Sequence, residues 1–182
     1  FEGRAISGGA FCDGCTSDND EHGHGTNVAG IVAGKTFGVA KKSTVISVKV
    51  LNAGGSGGLS GLLDGLISDA INNAVKALTD AGIHVAVAAG NNAGDACESS
   101  PSSEPSAITV GAVQIDPNDK EKDKIAFFSN FGKCVDIFAP GLAVVSAGVF
   151  TDFDISAFSG TSQATPHVAG TIALIIAKSG NQ

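Results

Sequence analysis

No stretch of about 18 uninterrupted apolar residues occurs in the 182-residue chain, which excludes a membrane-spanning helix. Methionine is absent altogether, and position 1 is a phenylalanine with no secretory leader behind it. The expectation is a soluble chain that has already been processed or trimmed. Basic residues are scarce: 11 Lys and Arg stand against 18 Asp and Glu, a net charge of −7, and no run gathers the basic ones. That balance disfavours nucleic acid and anionic membrane surfaces as partners, and solvated acidity explains it. What remains is 43% hydrophobic and 16% charged, with 25 glycines. The composition fits one globular domain, too short for two ordinary ones but able to bury a real core.

Cysteine occurs four times, at Cys12, Cys15, Cys97 and Cys134, an even set compatible with an oxidising compartment. The C-D-G-C spacing of Cys12 and Cys15 has no second pair to match it, so a zinc site is the weaker reading and a loop bridge or two unrelated thiols the stronger. Sequence alone does not give the pairing. Cys97 follows one strand in a loop and Cys134 opens another, an arrangement that favours a Cys97–Cys134 bridge.

Residues 1–19 are irregular and read as surface loop. Residues 24–34 form a first helix ended by Gly34, and the β-branched run 44–51 reads as a buried parallel strand with Lys49 as its exception. Residues 52–60, N-A-G-G-S-G-G-L-S, are a flexible glycine segment whose plain reading is a linker. Residues 59–78 follow as one or two amphipathic helices, with Leu62, Leu66, Ile67, Ile71, Val75 and Leu78 as the core face. Strands at 84–89, 107–113 and 134–138 come next, and strands alternating with helices argue for a parallel α/β sheet. Residues 116–124 are a charged turn that solvates. Asp136 sits inside V-D-I-F, where burial would require a salt bridge or a cap.

Most of the chemistry lies in residues 158–170, F-S-G-T-S-Q-A-T-P-H-V-A-G. A glycine turn delivers Ser162 to an apolar run that reaches Lys178. Val168, Ile172, Ile175 and Ile176 recur at helical spacing, so the run reads as a buried helix with Pro166 in its first turn, where a missing N–H costs nothing. Free N–H groups and the positive dipole end then surround Ser162. Such a place stabilises the oxyanion that acyl transfer generates. A serine that merely caps a helix is the plain alternative. Two further stretches shift the balance. Residues 20–34, D-E-H-G-H-G-T-N-V-A-G-I-V-A-G, set His24 between glycines at the opening of a helix. Residues 85–92, V-A-V-A-A-G-N-N, form an apolar strand with carboxamides at its carboxyl end, where open α/β sheets bind ligands. His24, Asn91 and Ser162 supply a general base, a carboxamide donor and a nucleophile, three of the four parts of a serine hydrolase. An α/β-hydrolase is disfavoured because its serine would stand in G-x-S-x-G.

At these residues the chain resembles the subtilisin family of serine proteases, and within it the proteinase K and fungal vacuolar protease branch. G-H-G-T-N-V-A-G is similar to the family's histidine motif, A-A-G-N-N to its oxyanion motif and G-T-S-Q-A-T-P-H-V-A-G to its serine motif. F-E-G-R-A, G-V-A-K-K, S-P-S-S-E-P-S and F-S-N-F-G-K-C-V-D-I-F-A-P-G extend the resemblance over nearly all 182 residues. It implies an α/β fold of three layers, a mainly parallel sheet flanked by helices, as a single peptidase domain over 1–182. It implies a serine endopeptidase working through an acyl-enzyme on Ser162, with His24 as general base and Asn91 beside the Ser162 N–H in the oxyanion hole. Only His24 occupies the G-H-G-T position; His22, two residues away, does not, and His84 and His167 look structural.

By the same resemblance Gly55, Ser56, Gly57 and Gly58 belong to an edge that pairs with the substrate backbone. A structural Ca²⁺ would be held by the backbone carbonyls of Pro105 and Ala107 and the carboxylate of Asp136, with waters completing a shell of about six to eight oxygens. The partners implied are polypeptide substrates and a propeptide or protein inhibitor, acting on a monomer that is secreted or, alternatively, vacuolar.

The departures are specific. The family carries an aspartate in a D-[ST]-G turn well before the histidine, and nothing in residues 1–21 has that form; Asp13, Asp18 and Asp20 are loop carboxylates. The S-L-G-G substrate strand expected between the 59–78 helices and the 84–89 strand is missing, as is the family's C-terminal part, so the fold is expected to be incomplete. Gln163 stands where the family has methionine, and Asn27 where the nearest branch has a second histidine. Two readings stay open: an endopeptidase represented by part of its length, and a noncatalytic subtilisin-like domain or inactive fragment that binds peptides.

Overall fold

The structure is a computed structural model that describes residues 1–57, 64–116 and 123–181. Its elements are β1 (Ala5–Ala10), α1 (His24–Ala33), β2 (Val45–Lys49), α2 (Asp64–Asp80), β3 (Ala86–Ala88), β4 (Ile108–Gln114), β5 (Lys124–Ile125), β6 (Ile137–Pro140), β7 (Val144–Ala147), β8 (Ile155–Phe158) and α3 (Thr161–Ser179). β3, β4 and β6 form a parallel ladder with the short β5 added antiparallel to β4, and β1 pairs parallel with β2 in a separate two-stranded sheet. β7 and β8 form an antiparallel hairpin leading directly into α3. The α/β class is as the sequence indicates.

Small residues bring the layers together. Val110, Ala112, Ala126, Ala139 and Ala164 are buried in one cluster, with Ile108, Phe128 and Val168 against it. This core fixes α3 onto β4 and β6. A methyl group added at Gly170 would meet the Val39 side chain at 2.8 Å, so glycine there lets α3 lie close to the segment that follows α1. Gly30 of α1 likewise sits hard against Ser146 and Ala147 of β7.

Several expectations need correction. Residues 1–19 are not all loop, because 5–10 form β1; A-I-S-G-G-A lacks strand patterning and extends only because β2 offers a pairing edge. β2 is parallel but not buried: Ile46 is 65% and Val48 55% exposed, and among the described residues only β1 pairs with it. In α2 only Val75 of the expected core face is buried; Ile71 and Leu78 are exposed, and Leu62 lies outside the described residues, as do the side chains of Leu66 and Ile67. α3 is buried at Thr161, Gln163, Ala164, Pro166 and Gly170, but Leu174 and Ile175 near its far end are exposed. Pro166 is the sixth residue of α3, in its second turn, so the Ser162 carbonyl lacks the N–H four residues on that would normally bond it. No pattern in the sequence marks the β7–β8 hairpin. Most of the 116–124 turn is outside the described residues.

Cys97 and Cys134 are joined, as their placement suggested, and Cys12 and Cys15 form a second bridge. Neither pair is therefore a thiolate metal ligand.

Candidate active site

The glycine turn after β8 presents Ser162 as the second residue of α3. Gly160 holds the N-cap position without a side-chain cap, so Ser162 is not the capping serine of the plain alternative. Its backbone N–H lies in the first helical turn, where no intrahelical acceptor exists. The side chain is half-buried.

Asn91 reaches this turn from the carboxyl end of β3. Its Oδ1 accepts from the Thr161 N–H at 2.8 Å and the Thr161 hydroxyl at 2.9 Å. With the oxygen anchored, Nδ2 lies beside Gly160, and it donates to no described residue. A carboxamide N–H and the Ser162 N–H therefore flank one turn, the arrangement an oxyanion requires. The loop that carries Asn91 is held in turn. The buried Asn130 accepts at Oδ1 from the Asn92 and Gly94 N–H groups, both at 3.1 Å, and donates its own N–H to the Gly90 carbonyl at 2.9 Å. The Gly90 N–H bonds the Thr161 hydroxyl at 3.2 Å. Sequence reasoning assigned no role to Thr161 or Asn130, although both lie in motifs shared with the subtilisins; their function is visible only once the loops meet.

His24 opens α1, and its ring meets Phe158 edge-on at 6.3 Å, four residues before Ser162. His22 stands 6.4 Å away, ring to ring. Burial, reinforced by the neighbouring His22, pushes the His24 imidazole below its usual range, against an opposing pull from Asp20. A neutral imidazole is the form a general base needs. Among the described residues neither the His24 ring nor the Ser162 hydroxyl makes a hydrogen bond, and no carboxylate contacts the ring.

Asp20 has a different task. It accepts from the N–H groups of His22, Gly23 and Thr26 at 3.1, 2.8 and 2.7 Å and from the Thr26 hydroxyl at 2.8 Å, capping α1 from upstream. Partial burial opposes its ionisation, but these bonds outweigh burial and hold the carboxyl below the usual range. Lys49, the odd residue of β2, ties its ammonium to the Asn19 carbonyl and to Glu21 at 2.7 Å, fixing the loop that carries Asp20. His84 is exposed and bonded to Asn181, and His167 bonds the Gln163 carbonyl at 2.9 Å, as structural histidines do.

A cleft of about 680 Å³ runs from β1 and β2 past α1 to His22 and His24. At its β2 end, Gly55 and Ser56 belong to a turn closed by the Asn52 N–H on the Ser56 carbonyl and by the Gly54 and Ser56 N–H groups on Asn52 Oδ1. Gly55 has a φ of 74°, and any side chain there would strike the His22 ring. Gly57 follows the turn, and Gly58 lies outside the described residues.

Asp136 is exposed rather than buried, because it precedes β6 instead of standing inside it. One carboxylate oxygen accepts from the Thr109 N–H at 2.8 Å. Thr109 is two residues beyond Ala107 in the chain, and the other carboxylate oxygen is of the chemistry calcium prefers. A set of one carboxylate and the Pro105 and Ala107 carbonyls fits a hard cation.

Comparison with known proteins places this geometry in context. The peptidase S8 profile, described as the Subtilase family, matches residues 12–78 and 62–181. Subtilisin-like serine protease Pen ch 18 of Penicillium rubens is 42% identical over 206 residues, covering 97% of this chain and 40% of its own length. A cuticle-degrading serine protease of Arthrobotrys oligospora is 45% identical over 184 residues, covering 90% of the chain and 44% of its own. The chain thus spans about two fifths of these relatives. The first alignment exceeds the chain's 182 residues by 24, so that relative carries sequence with no counterpart here. The crystal structure of a cold adapted subtilisin-like serine proteinase superposes on all of this chain and 71% of its own with a TM-score of 0.84 at 37% identity. On these matches and this fold, the chain belongs to the subtilase family of serine proteases.

Proposed function

We propose that residues 1–182 carry the nucleophile, base and oxyanion donor of a serine endopeptidase. The observation that carries this reading is the convergence of two separate elements on the turn that presents Ser162: α1 through His24 against Phe158, and the loop after β3 through Asn91 against Gly160 and Thr161. His24 takes the Ser162 proton as the oxygen attacks a peptide carbonyl. Asn91 Nδ2 and the Ser162 N–H receive the oxyanion, and the imidazolium returns its proton to the leaving amine. Water then hydrolyses the acyl-enzyme with His24 again as base. The 52–57 segment, beside His22 and the cleft, is the natural place for sequence-tolerant contact with the substrate backbone, a role that extends to Gly58 by resemblance alone. A fluorophosphonate probe followed by peptide mapping tests the assignment: the adduct is expected on Ser162, and labelling elsewhere with Ser162 unmodified would overturn it.

The second reading, a peptide-binding domain without turnover, is favoured by one observation, the absence of a carboxylate on the His24 ring among the described residues. Polypeptide substrates, an inhibitory propeptide, a monomeric state and secretion are the remaining parts of the proposal. The disulfides agree with an oxidising compartment. Among the described residues no helix is long and apolar enough to cross a membrane.

Calcium at Pro105, Ala107 and Asp136 would act structurally, tying the start of β4 to β6. Calcium is expected to raise the melting temperature, and a chelator or Asp136→Asn to abolish the gain. Melting indifferent to both would remove the site.

A further inference from the structure

Asn27, where the nearest branch has a second histidine, and Gln163, where the family has methionine, are each other's partner. Asn27 lies one helical turn after His24 and Gln163 directly after Ser162. Both are essentially inaccessible, at 0% and 1% exposure. Gln163 Nε2 donates to Asn27 Oδ1 at 3.4 Å. Asn27 Nδ2 in turn donates to the Ser156 carbonyl at 3.1 Å and the Ser156 hydroxyl at 3.3 Å, while the Asn27 carbonyl accepts from the Ser146 hydroxyl at 2.9 Å.

We propose that Asn27 and Gln163 form a single positioning unit that sets the turn bearing His24 against the turn bearing Ser162. The inference rests on the reading of His24 and Ser162 as base and nucleophile. The physical reason is satisfaction. A carboxamide buried in an apolar contact must find partners for both its ends. Asn27 spends its N–H groups on β8 and its oxygen on α3, so α1, the hairpin that leads into Ser162 and the helix that follows meet at one side chain. If Gln163 is replaced by an apolar residue, Asn27 Oδ1 is left buried with no donor, and the two turns are free to shift. A shift of about 1 Å between base and nucleophile is enough to cost roughly 100-fold. Neither carboxamide titrates, although the His167 ring bonds the Gln163 backbone carbonyl at 2.9 Å.

The test is a double-substitution cycle with Asn27→Leu, Gln163→Met and both together, read three ways. The rate of Ser162 labelling by a fluorophosphonate reports the reacting pair, the ¹³C-edited His24 Cε1–H resonance reports the base's surroundings without requiring activity, and thermal melting reports stability. Each single substitution is expected to slow labelling by about 10- to 100-fold and to move the His24 resonance. The double variant should lose no more than the worse single one, because the unit is already broken. Should Asn27→Leu not fold, Asn27→Ser takes its place in the cycle. Lower melting temperatures with labelling and the His24 resonance unchanged would reduce the pair to ordinary packing and overturn the proposal, as would losses that simply multiply. If Ser162 in the parent chain does not label at all, the nucleophile assignment fails and the resonance decides alone: equal displacement in the singles and the double supports the unit, and no displacement sinks it.

Discussion

Asn91 illustrates how one side chain can be assigned from its two ends. The sequence offered two adjacent carboxamides, Asn91 and Asn92, with nothing but motif position to choose between them. The structure separates them: Asn91 Oδ1 is spent on Thr161, which turns its N–H groups toward Gly160, whereas the Asn92 N–H is tied to Asn130. Asn91→Ala should therefore slow acylation of Ser162 by an activated ester about 10²- to 10³-fold, roughly 3–4 kcal/mol, with the fold intact. That magnitude is the cost of removing the corresponding carboxamide donor in subtilisin itself. A change below about threefold, with the same melting temperature, would mean that Asn91 does not face the reacting oxygen. Asn130 lay equally in view within F-S-N-F-G, yet its role depends on the Gly90–Gly94 backbone folding around its carboxamide, and no local pattern encodes that.

At the scale of elements, α1 depends on a cap that comes from outside the usual position. Gly23, at φ 94°, sits where a capping side chain would stand, so Asp20 supplies the acceptor from three residues earlier. Its carboxyl is held below the usual range, so the stability it contributes is present above the unfolded-state value, about 4, and is lost as pH falls through the lower folded value. Burial lowers His24 and also His167, the latter against its bonds to the Gln163 and Ala164 carbonyls. The unfolded chain therefore takes up those protons first, and stability begins to fall once pH drops below about 6.5. The three groups act in the same direction. Melting temperature is expected to decline steadily from pH 7.5 to 3.5, the upper part of the decline weakening in His167→Asn and the lower part in Asp20→Asn. A flat profile between pH 7.5 and 5 would contradict the histidine contribution.

Over the whole molecule, the sheet is interrupted. Among the described residues β1–β2 and β3–β4–β6 remain separate, and Ile46 and Val48 of β2 face solvent beside an edge with no partner strand. β-branched residues of this kind belong inside a parallel sheet, and exposed edges promote association. The same interruption leaves the His24 ring without an orienting carboxylate among the described residues. Residues 1–182 expressed alone should accordingly be folded by circular dichroism yet hydrolyse a peptide anilide at about 10⁻⁴ of a mature relative's rate or less, the deficit that follows when a serine protease loses the orienting aspartate. Slow cleavage of activated esters should survive on the oxyanion donors. Turnover within about tenfold of the relative would show that an unassigned carboxylate completes the site.

The sequence by itself determined the α/β class and the helices that begin at His24 and near Ser162, and it singled out Ser162, His24 and Asn91 as the residues on which the proposed nucleophile, base and carboxamide donor rest. Each rests on short-range information: glycine turns, helical spacing and a strand ending in carboxamides. The sequence also contains no D-[ST]-G turn in residues 1–21 and no S-L-G-G between residues 78 and 84. Tertiary structure alone decided that A-I-S-G-G-A is a strand, that the ends of α2 and α3 are exposed, that Asp136 lies at the surface and Asp20 is a cap, and that the two substituted positions, Asn27 and Gln163, bond to each other. Those outcomes depend on which distant segment arrives beside a residue and which does not, and burial and hydrogen-bond partners across 136 positions of sequence are properties of the packed chain.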